Sequence, residues 1–312
     1  MKYIFGIDIG GTTVKCGLFE EGGKLLEKWE IPTDRADKGA NILSDVAKTI
    51  LSKAEEKKIQ KEDILGIGMG VPGPVLADGT VYRCPNLGWG IVKVKDRMEA
   101  MTGCPVYTGN DANVAALGEA YFGGGRGFDS ILMVTLGTGV GGGLILGGKI
   151  VCGSNGAAAE IGHIIVEPEE TDICGCGGHG HLEQYASATG IVRMAKKLLL
   201  DETVDSALRT HMPLTAKDIF DEAKNGDAAA LLLTDKLGKY LALALTHVAA
   251  VADPQAFVIG GGVSRAGGIL LNAIERHYND NILKALQGKK FLLAELGNDA
   301  GIYGAASMVK AD

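Results

Sequence analysis

Cysteine and histidine are crowded into one short segment of this chain. Residues 160–184 read EIGHIIVEPEETDICGCGGHGHLEQ and hold two of the six cysteines and three of the six histidines. Thiolate and imidazole groups are common zinc ligands. Cys174 and Cys176 are one residue apart, which strains an internal disulfide but suits two thiolates on one metal ion. A metal site, a redox pair and a chance cluster in a glycine-rich loop are the three interpretations that the residues leave open.

A carboxylate suited to acid–base chemistry lies in the segment CPVYTGNDANVAALGEAYFG, which predicts a short strand, a polar loop and a helix. Asp111 stands at the predicted strand-to-helix junction, where a loop can aim its side chain into a cleft. There it could accept the proton of a substrate hydroxyl. Aspartate is also a common helix N-cap, so the residues alone leave both roles open. Glu119 is expected on a solvated face of the same helix.

Three glycine turns could cradle an anion: DIGGTTVK at 8–15, GTGVGGG at 137–143 and GGGVS at 260–264. Glycine lets backbone N–H groups approach a phosphate closely, although a simple hairpin explains each turn alone. Asp8 could hold the water shell of Mg²⁺ or cap a turn, and the hydroxyls of Thr12 and Thr13 could contact phosphate. The strict motif GxxxxGK[ST] is absent.

The composition narrows the class of protein. The chain has 312 residues, 47 of them glycine, and a formal net charge of −7 without a long basic run, which disfavours nucleic-acid binding. The N-terminus does not resemble a signal peptide, and the longest apolar stretch, YLALALTHVAAVA, is shorter than a membrane span. We therefore expect a soluble, cytoplasmic protein. The remaining cysteines are expected to be buried apolar residues: Cys16, Cys84, Cys104 and Cys152.

The elements that must position these groups alternate between strands and helices, which favours an α/β protein with helices covering mixed sheets. The opening segment predicts three strands joined by turns, followed by an amphipathic helix at about 42–58. The segment SILMVTLGTGVGGGLILGGKIV repeats that strand plan. The pattern suggests two domains on one plan, separated near 110–118, and a helical stretch over 191–250. Trp89 is expected in the core or at its rim.

Several motifs occur together in the order found in the ROK family of repressors, open reading frames and kinases. They are FGIDIGGTTVKCGLF, GMGVPGPV, NLGWG, GNDANVAALGE, LGTGVGGGLI, AAEIGHI, CGCGGHGHLEQYASATG, VIGGGVS and DAGIYGAA. They run from the first predicted strand to the last predicted helix, and they most resemble the bacterial glucokinases of that family.

The resemblance implies a two-domain, actin-like ATPase fold of the hexokinase, ribonuclease H-like type with a central cleft. We expect a small N-terminal α/β domain at 1–113, joined by the C-terminal helix at about 298–312. A large α/β domain at 114–297 would carry a zinc-binding loop.

The resemblance also implies an activity, the ATP-dependent phosphorylation of glucose at the 6-hydroxyl, with Asp111 as the catalytic base. Sugar contacts would come from both sides of the cleft: Gly73, Asn86, Asn110, Asp111, Glu160, His163 and Glu183. MgATP would lie against the glycine turns: Asp8, Gly10, Gly11, Thr12, Thr13, Lys15, Gly137, Thr138, Gly139, Gly261 and Gly262.

The resemblance also implies a structural zinc ion, bound by His163, Cys174, Cys176 and a residue two positions before Glu183. The family has cysteine there, whereas this chain has His181, and imidazole is also a good zinc ligand. His179 is the alternative ligand, and a metal-free loop is the alternative state. His163 would bind zinc and also orient a sugar hydroxyl.

Rival functions remain open at this point. The sugar could be N-acetylmannosamine, mannose or fructose, and a sugar-sensing protein without activity is a further alternative. The repressors of the family carry an N-terminal helix-turn-helix domain, whereas here the first predicted strand begins at Tyr3. The family suggests a homodimer and a place in glycolysis, with neither a nucleic-acid nor a membrane partner.

Overall fold

The computed structural model describes residues 1–309, and these fold as two compact units. The first unit comprises Met1–Asp129, Gly143–Ala159 and the chain from Leu296 onward, and the second comprises Ser130–Gly142 and Glu160–Glu295. The expected boundary after residue 113 would cut a helix that lies wholly in the first unit. The C-terminal helix also lies in the first unit, and residues 310–312 of the expected span are outside the described part of the chain.

The first unit is built on a five-stranded sheet with the order β3-β2-β1-β4-β7. The strands β1, β2 and β3 form an antiparallel meander, whereas β4 and β7 continue the sheet in parallel with β1. A two-residue pair, β5 with β6, lies apart from it. The strand bounds are β1 Tyr3–Ile9, β2 Thr13–Glu20, β3 Leu25–Pro32, β4 Ile64–Val71, β5 Thr80–Val81, β6 Val92–Lys93 and β7 Val106–Asn110.

Within residues 1–309, four α-helices belong to this unit, and their buried faces follow the helical spacing of apolar residues. Helix α1 buries Val46 and Ile50 in the same apolar core as Phe5 and Ile7 of β1, and this packing covers one face of the sheet. The observed α1 agrees with the amphipathic helix predicted at 42–58. The helices are α1 Ile42–Glu56, α2 Val94–Thr102, α3 Asp111–Phe122 and α9 Ala300–Met308.

Helix α9 approaches its neighbours closely because glycine stands at the contact points. A Cβ at Gly304 would lie 1.7 Å from the carbonyl oxygen of Val114 in α3, and one at Gly68 of β4 would lie 1.7 Å from that of Ala305. Such separations are far below van der Waals contact and involve backbone, which cannot rotate away. The glycines of the motif DAGIYGAA are therefore explained by packing.

The second sheet repeats the plan of the first, with the order β10-β9-β8-β11-β12. Strand β11 pairs in parallel with β8 and β12, and β10 pairs antiparallel with the end of β9. The division between the two units falls inside β9, after Gly142. The bounds are β8 Ile131–Leu136, β9 Val140–Leu146, β10 Lys149–Ile150, β11 Ala256–Gly260 and β12 Lys290–Leu293.

The helices of the second unit follow the expected order with two interruptions, at 199–215 and at 225–227. Residues 199–215 are not α-helical, although the sequence predicted a helical stretch over 191–250. Pro213 lies in this segment, and proline lacks the N–H group that a helix interior needs. The helices are α4 Glu183–Ala186, α5 Ala188–Leu198, α6 Ala216–Lys224, α7 Ala228–Ala252 and α8 Gly268–Asn281.

Trp89 and three of the four remaining cysteines are buried. Trp89 is a core residue, and its indole N–H donates to the carbonyl of Gly39 at 3.0 Å. Cys16, Cys84 and Cys104 are buried as expected, but Cys152 is exposed, since it lies in an irregular segment after β10. Within residues 1–309, no helix has the length and apolar character needed to cross a membrane.

Candidate functional site

The carboxyl ends of three parallel strands gather the predicted acidic residues of the first unit. Asp8 near the end of β1 pairs with Gly70 of β4, and Val71 at the end of β4 pairs with Asn110 at the end of β7. Asp111 follows Asn110 directly as the first residue of α3. Open α/β sheets bind their ligands at the carboxyl ends of the strands, so the position of these residues favours a ligand-binding site here.

Asn110 and Asp111 divide the two roles that the sequence left open. The Asn110 side chain caps α3, because its Oδ1 accepts from the N–H of Asn113 at 3.1 Å. Its Nδ2 donates to the carbonyl of Gly73 and to Oδ1 of Asp111, both at 3.0 Å. Asp111 also accepts from the N–H of Ala112 at 2.8 Å. The capping role thus belongs to Asn110, and Asp111 is a positioned carboxylate beside it.

Asp8 carries a carboxyl group whose pKa is strongly perturbed. Burial raises its pKa to about 6, with the charge of Lys15 opposing this shift and the charge of Asp111 adding to it. The backbone of α9 comes very close, since a Cβ at Gly301 would lie 2.5 Å from Oδ2 of Asp8. A bound cation would offset the repulsion between the two aspartates and favour the ionised form of Asp8.

The first glycine turn is tight and is braced from the side. The N–H of Gly10 donates to the carbonyl of Thr13 at 3.0 Å, and the Thr33 hydroxyl donates to the carbonyl of Gly10 at 2.7 Å. Thr12 is exposed, and the space where Gly11 would carry a Cβ is open. The ammonium group of Lys15 donates a hydrogen bond to the carbonyl of Asn298 at 2.9 Å.

Gly73 lies close to the segment that leads to Asn86. Gly73 has a φ of +93°, a conformation that favours glycine, and a Cβ there would lie 2.6 Å from the carbonyl oxygen of Arg83. Asn86 follows three residues later on an exposed turn at Pro85–Leu87. The structure therefore brings together Gly73, Asn110 and the segment that leads to Asn86.

The other two glycine turns meet at the carboxyl ends of β8 and β11 in the second unit. These strands are parallel neighbours, with Thr135 paired to Gly260. Gly261 has a φ of +83°, and its Cα lies so close to Leu136 that a Cβ would come within 2.5 Å of the Leu136 carbonyl oxygen. The N–H of Gly137 donates to the carbonyl of Gly139 at 3.0 Å. Thr138 and Gly262 lie in the same two turns.

Glu183 lies directly beside the turn at 137–139. Its Oε2 would be 2.7 Å from a Cβ at Gly139, so glycine is needed where the carboxylate packs. Thr189, at the start of α5, donates its hydroxyl to the carbonyl of Thr138 at 2.6 Å. A cavity of about 460 Å³ opens here, lined in part by Thr138, Gly139, Glu183 and Thr189. Glu160 and His163 are exposed at the two ends of a turn whose inner residues, Ile161 and Gly162, are buried.

Four side chains of the cysteine- and histidine-rich loop converge on one point. Ligand atoms of His163, Cys174, Cys176 and His181 all lie within 4.8 Å of one another. Cys176 Sγ is 3.2 Å from Nδ1 of His181, and the Cys174 thiol donates to Oε1 of Glu183 at 2.9 Å. Within the described residues His181, and not His179, belongs to this cluster. Two sulfur and two nitrogen donors form a set that zinc accepts.

A network that sequence reasoning missed fixes the same loop to α5. The Glu170 carboxylate pairs with Arg193 at 2.8 Å and accepts from the Tyr185 hydroxyl at 2.6 Å. Burial would raise the Glu170 pKa, but hydrogen bonds from Tyr185, the Asp172 backbone and Arg193 prevail and lower the pKa to about 2. Tyr185, in the motif LEQYASATG, was the one member of this network that stood out in the sequence. The charged members could not be distinguished from ordinary solvent-exposed residues of a loop.

Glu119 is also a residue whose role the sequence misjudged. It is fully buried rather than solvated, and its carboxylate accepts from the N–H of Gly124 at 2.9 Å and from the N–H of Leu296 at 2.8 Å. A Cβ at Gly123 would lie 1.9 Å from Oε2, so glycine follows α3 for this reason. Burial of Glu119 is possible because backbone donors satisfy its charge.

Two α/β units of one sheet plan, each with glycine turns at the carboxyl ends of its parallel strands, define the class. This is the actin-like ATPase fold of the hexokinase type, as expected from the sequence.

Comparisons with known proteins agree with this class. The model of the ROK family matches residues 4–312. The chain is 43% identical over 99% of its length to a glucokinase of Halalkalibacterium halodurans, of which it covers 95%. It is 37% identical to a glucokinase of Thermotoga maritima, with 98% of this chain and 97% of that protein covered. The protein belongs to the ROK family.

A solved structure extends the similarity to three dimensions. The crystal structure of a ROK family glucokinase from Streptomyces griseus, in complex with glucose and AMPPNP, has a TM-score of 0.74 to this chain. The two are 35% identical, and 98% of each chain is covered.

Proposed function

We propose that this protein is an ATP-dependent glucokinase, which transfers the γ-phosphoryl group of ATP to the 6-hydroxyl of glucose and releases glucose 6-phosphate and ADP. Full-length similarity to glucokinases of two bacteria supports the activity and the sugar. The observation that carries the mechanism is the placement of the Asp111 carboxylate at the end of β7, beside Asn110, which caps α3 and donates to Oδ1 of Asp111.

Asp111 is the general base in this proposal. Phosphoryl transfer to a hydroxyl needs in-line positioning, charge neutralisation and an acceptor for the hydroxyl proton. The hydrogen bonds from Asn110 Nδ2 and the Ala112 N–H both reach Oδ1 of Asp111 and orient the carboxylate. The Asp111 carboxylate accepts the proton of the 6-hydroxyl as the phosphoryl group is transferred.

The sugar is held by carboxylates, an imidazole and an amide in this proposal. Vicinal hydroxyls suit a carboxylate, which can accept two hydrogen bonds at once. The proposed sugar-binding residues are Glu160, His163, Glu183, Asn110, Asp111, Gly73 and Asn86. Of these groups, Glu183 has the best support, because its carboxylate lines the cavity beside the turn at 137–139.

The glycine turns are the proposed ATP site. In this proposal the phosphates bind at the turns at 10–13 and 137–139, and Gly261 and Gly262 leave room for the adenosine. Asp8 fits Mg²⁺, since its oxygens are hard ligands and its raised pKa reflects a burial that a cation would offset. When bound, Mg²⁺ would neutralise charge on the phosphates. The ammonium group of Lys15 donates to the carbonyl of Asn298, so we propose that Lys15 contributes to the site through its charge, which favours the ionised form of Asp8.

A structural zinc ion is proposed for His163, Cys174, Cys176 and His181. Four protein donors complete a tetrahedral shell, so the metal is expected to be structural. Zinc would bind Cys174 as the thiolate, which removes the proton that the thiol now donates to Glu183. Glu183 would then be available to accept a sugar hydroxyl.

Assembly and location complete the proposal. A homodimer acting in glycolysis in the cytoplasm is consistent with the family and with relatives that are glucokinases. Size-exclusion chromatography with light scattering tests the homodimer: a mass near twice 32.5 kDa is expected, and a monomer at micromolar concentration contradicts it.

The sugar is identified by measuring ADP release from MgATP with glucose, mannose, fructose, N-acetylglucosamine and N-acetylmannosamine supplied separately. We expect the highest kcat/KM with glucose. A higher kcat/KM with another sugar would keep the mechanism and overturn the choice of glucose. Absence of turnover with every sugar, in a folded protein, would contradict the kinase and favour a sugar-binding protein without activity.

A further inference from the structure

Gly178 is the residue that makes room for the histidine ligand. A Cβ built on Gly178 would lie 2.6 Å from Cε1 and 2.9 Å from Nε2 of His181. Real Cβ atoms do not approach other heavy atoms within 3.0 Å. The edge of the imidazole ring that carries Cε1 and Nε2 therefore packs directly on the Gly178 Cα.

The opposite edge of the ring faces the metal-binding cluster. Nδ1 of His181 lies 3.2 Å from Cys176 Sγ, and the His181 ring makes an edge contact with the His163 ring at a centroid distance of 5.3 Å. The ring is thus held with Nδ1 toward the other donors and Nε2 toward Gly178.

The backbone on the Gly178 side cannot easily move away. The carbonyl of Gly178 accepts from the N–H of Cys174 at 2.7 Å, and the N–H of Gly177 donates to the carbonyl of Cys174 at 2.9 Å. These two bonds close the loop that carries both cysteines. A shift of Gly178 would therefore disturb Cys174 and Cys176 as well.

The backbone on the histidine side is equally fixed. The N–H of His181 donates to Oε1 of Gln184 at 3.0 Å, and the N–H of the next residue, Leu182, donates to the carbonyl of Ile164 at 2.9 Å. His181 also forms a β-bridge with Ile165. With both backbones held, a side chain at 178 can be accommodated only if the ring rotates, which takes Nδ1 away from Cys176.

We propose that His181 binds the metal through Nδ1 and that Gly178 is the positioning residue that permits it. The inference rests on the zinc site proposed above. Its consequence couples two positions of the loop: a histidine at 181 requires a residue without a Cβ at 178, whereas the shorter cysteine side chain at 181 would not.

The test uses four variants of the full chain and measures zinc affinity by competition with a chromogenic chelator. Gly178→Ala should bind zinc at least about tenfold more weakly than the wild type, the range found when a group that orients a metal ligand is lost. Gly175→Ala is the matched control, since it lies in the same loop and a Cβ there meets nothing within 4 Å. Neither glycine has a positive φ, so alanine adds no backbone strain.

The double variant Gly178→Ala/His181→Cys separates a contact with the ring from general damage to the loop. It should bind zinc as tightly as His181→Cys alone, because the atoms that clash with a Cβ at 178 are then absent. Far-UV circular dichroism checks that each variant is folded. Long-range ¹H–¹⁵N spectra should show a proton on Nε2 of zinc-bound His181, in signals that His181→Cys lacks.

Three results would overturn the proposal, and they are distinguishable. If the wild type binds zinc and Gly178→Ala binds it equally well, the positioning role is wrong although the zinc site stands. Equal weakening by Gly178→Ala in the wild-type and His181→Cys backgrounds would show that the loop, not the ring, is disturbed. If the wild type binds no zinc, the metal site fails together with the inference, while the kinase activity is tested independently by ADP release.

Discussion

At the end of β7, one hydrogen bond identifies which of two adjacent residues, Asn110 or Asp111, is the N-cap of α3. Aspartate and asparagine are both good N-caps, so the segment GND does not reveal which residue caps α3. The structure gives the cap to Asn110, through its bond from the N–H of Asn113. Asp111 takes the next position, where its Oδ1 accepts from Asn110 Nδ2 and from the N–H of Ala112.

Asp8 yields a prediction about pH and stability. Its pKa is raised from 3.8 to about 6 in the folded protein, so folding favours the protonated form. The destabilisation from ionised Asp8 is small below pH 4, grows as the pH rises through 6 and is complete above it. Asp8→Asn removes this effect. Relative to the wild type, its free energy of unfolding should rise by about 2 kcal/mol between pH 4.5 and pH 7.5.

Urea unfolding without nucleotide or Mg²⁺ at the two pH values measures this difference. Asp96→Asn is the control for the loss of an exposed aspartate, because the side chain of Asp96 is 60% exposed in the first turn of α2. If the free energies of unfolding of Asp8→Asn and the wild type differ by the same amount at both pH values, burial does not raise the pKa of Asp8. The same variant should lose kinase activity, since it lacks the carboxylate proposed for Mg²⁺.

At the scale of elements, Glu119 connects three segments of the first unit. It lies in α3, and its two carboxylate oxygens accept N–H groups from the turn after α3 and from the segment that leads into α9. Helices α3 and α9 carry Asp111 and the glycine beside Asp8, respectively. The buried glutamate therefore stabilises the elements that position the two aspartates.

Replacing Glu119 by glutamine tests this connection. Both backbone partners are donors, and an amide offers only one acceptor oxygen, so one buried N–H would face the NH₂ group. We expect Glu119→Gln to lower the free energy of unfolding by about 1–3 kcal/mol. Glu99→Gln in α2 is the matched control, because Glu99 accepts a single backbone N–H, from Val106.

Urea denaturation of the two variants decides the question. A loss for Glu99→Gln as large as that for Glu119→Gln would indicate a general cost of removing a glutamate charge. An unchanged Glu119→Gln variant would contradict the role of Glu119 in connecting α3 with the segment at Leu296.

At the scale of the whole molecule, the repeated strand plan was predictable and the division of the chain was not. Alternating apolar strands separated by glycine turns recur at 3–32 and 131–150, and both become the antiparallel part of a five-stranded sheet. The boundaries of the units depend on which faces α3 and β9 pack against. Such contacts are long-range, and periodicity within one segment carries no information about them.

The same limit explains which site residues were missed. Cysteines, histidines and glycines stand out in a sequence because few roles suit them, and the four ligand candidates do converge. Glu119 and Glu170 look like surface residues until the backbone donors and the arginine that surround them are known. A buried carboxylate is recognised by its partners, and these come from distant parts of the chain.

The kcat of glucose 6-phosphate formation in Asp111→Asn shows whether Asp111 is the general base. Asparagine keeps an oxygen for the N–H of Ala112 but cannot accept the hydroxyl proton. We expect kcat to fall by about a hundred- to ten-thousand-fold, as is usual for a lost general base, while calorimetry still detects glucose binding. Asp96→Asn should retain the wild-type kcat. A kcat for Asp111→Asn within about tenfold of the wild type would contradict the account.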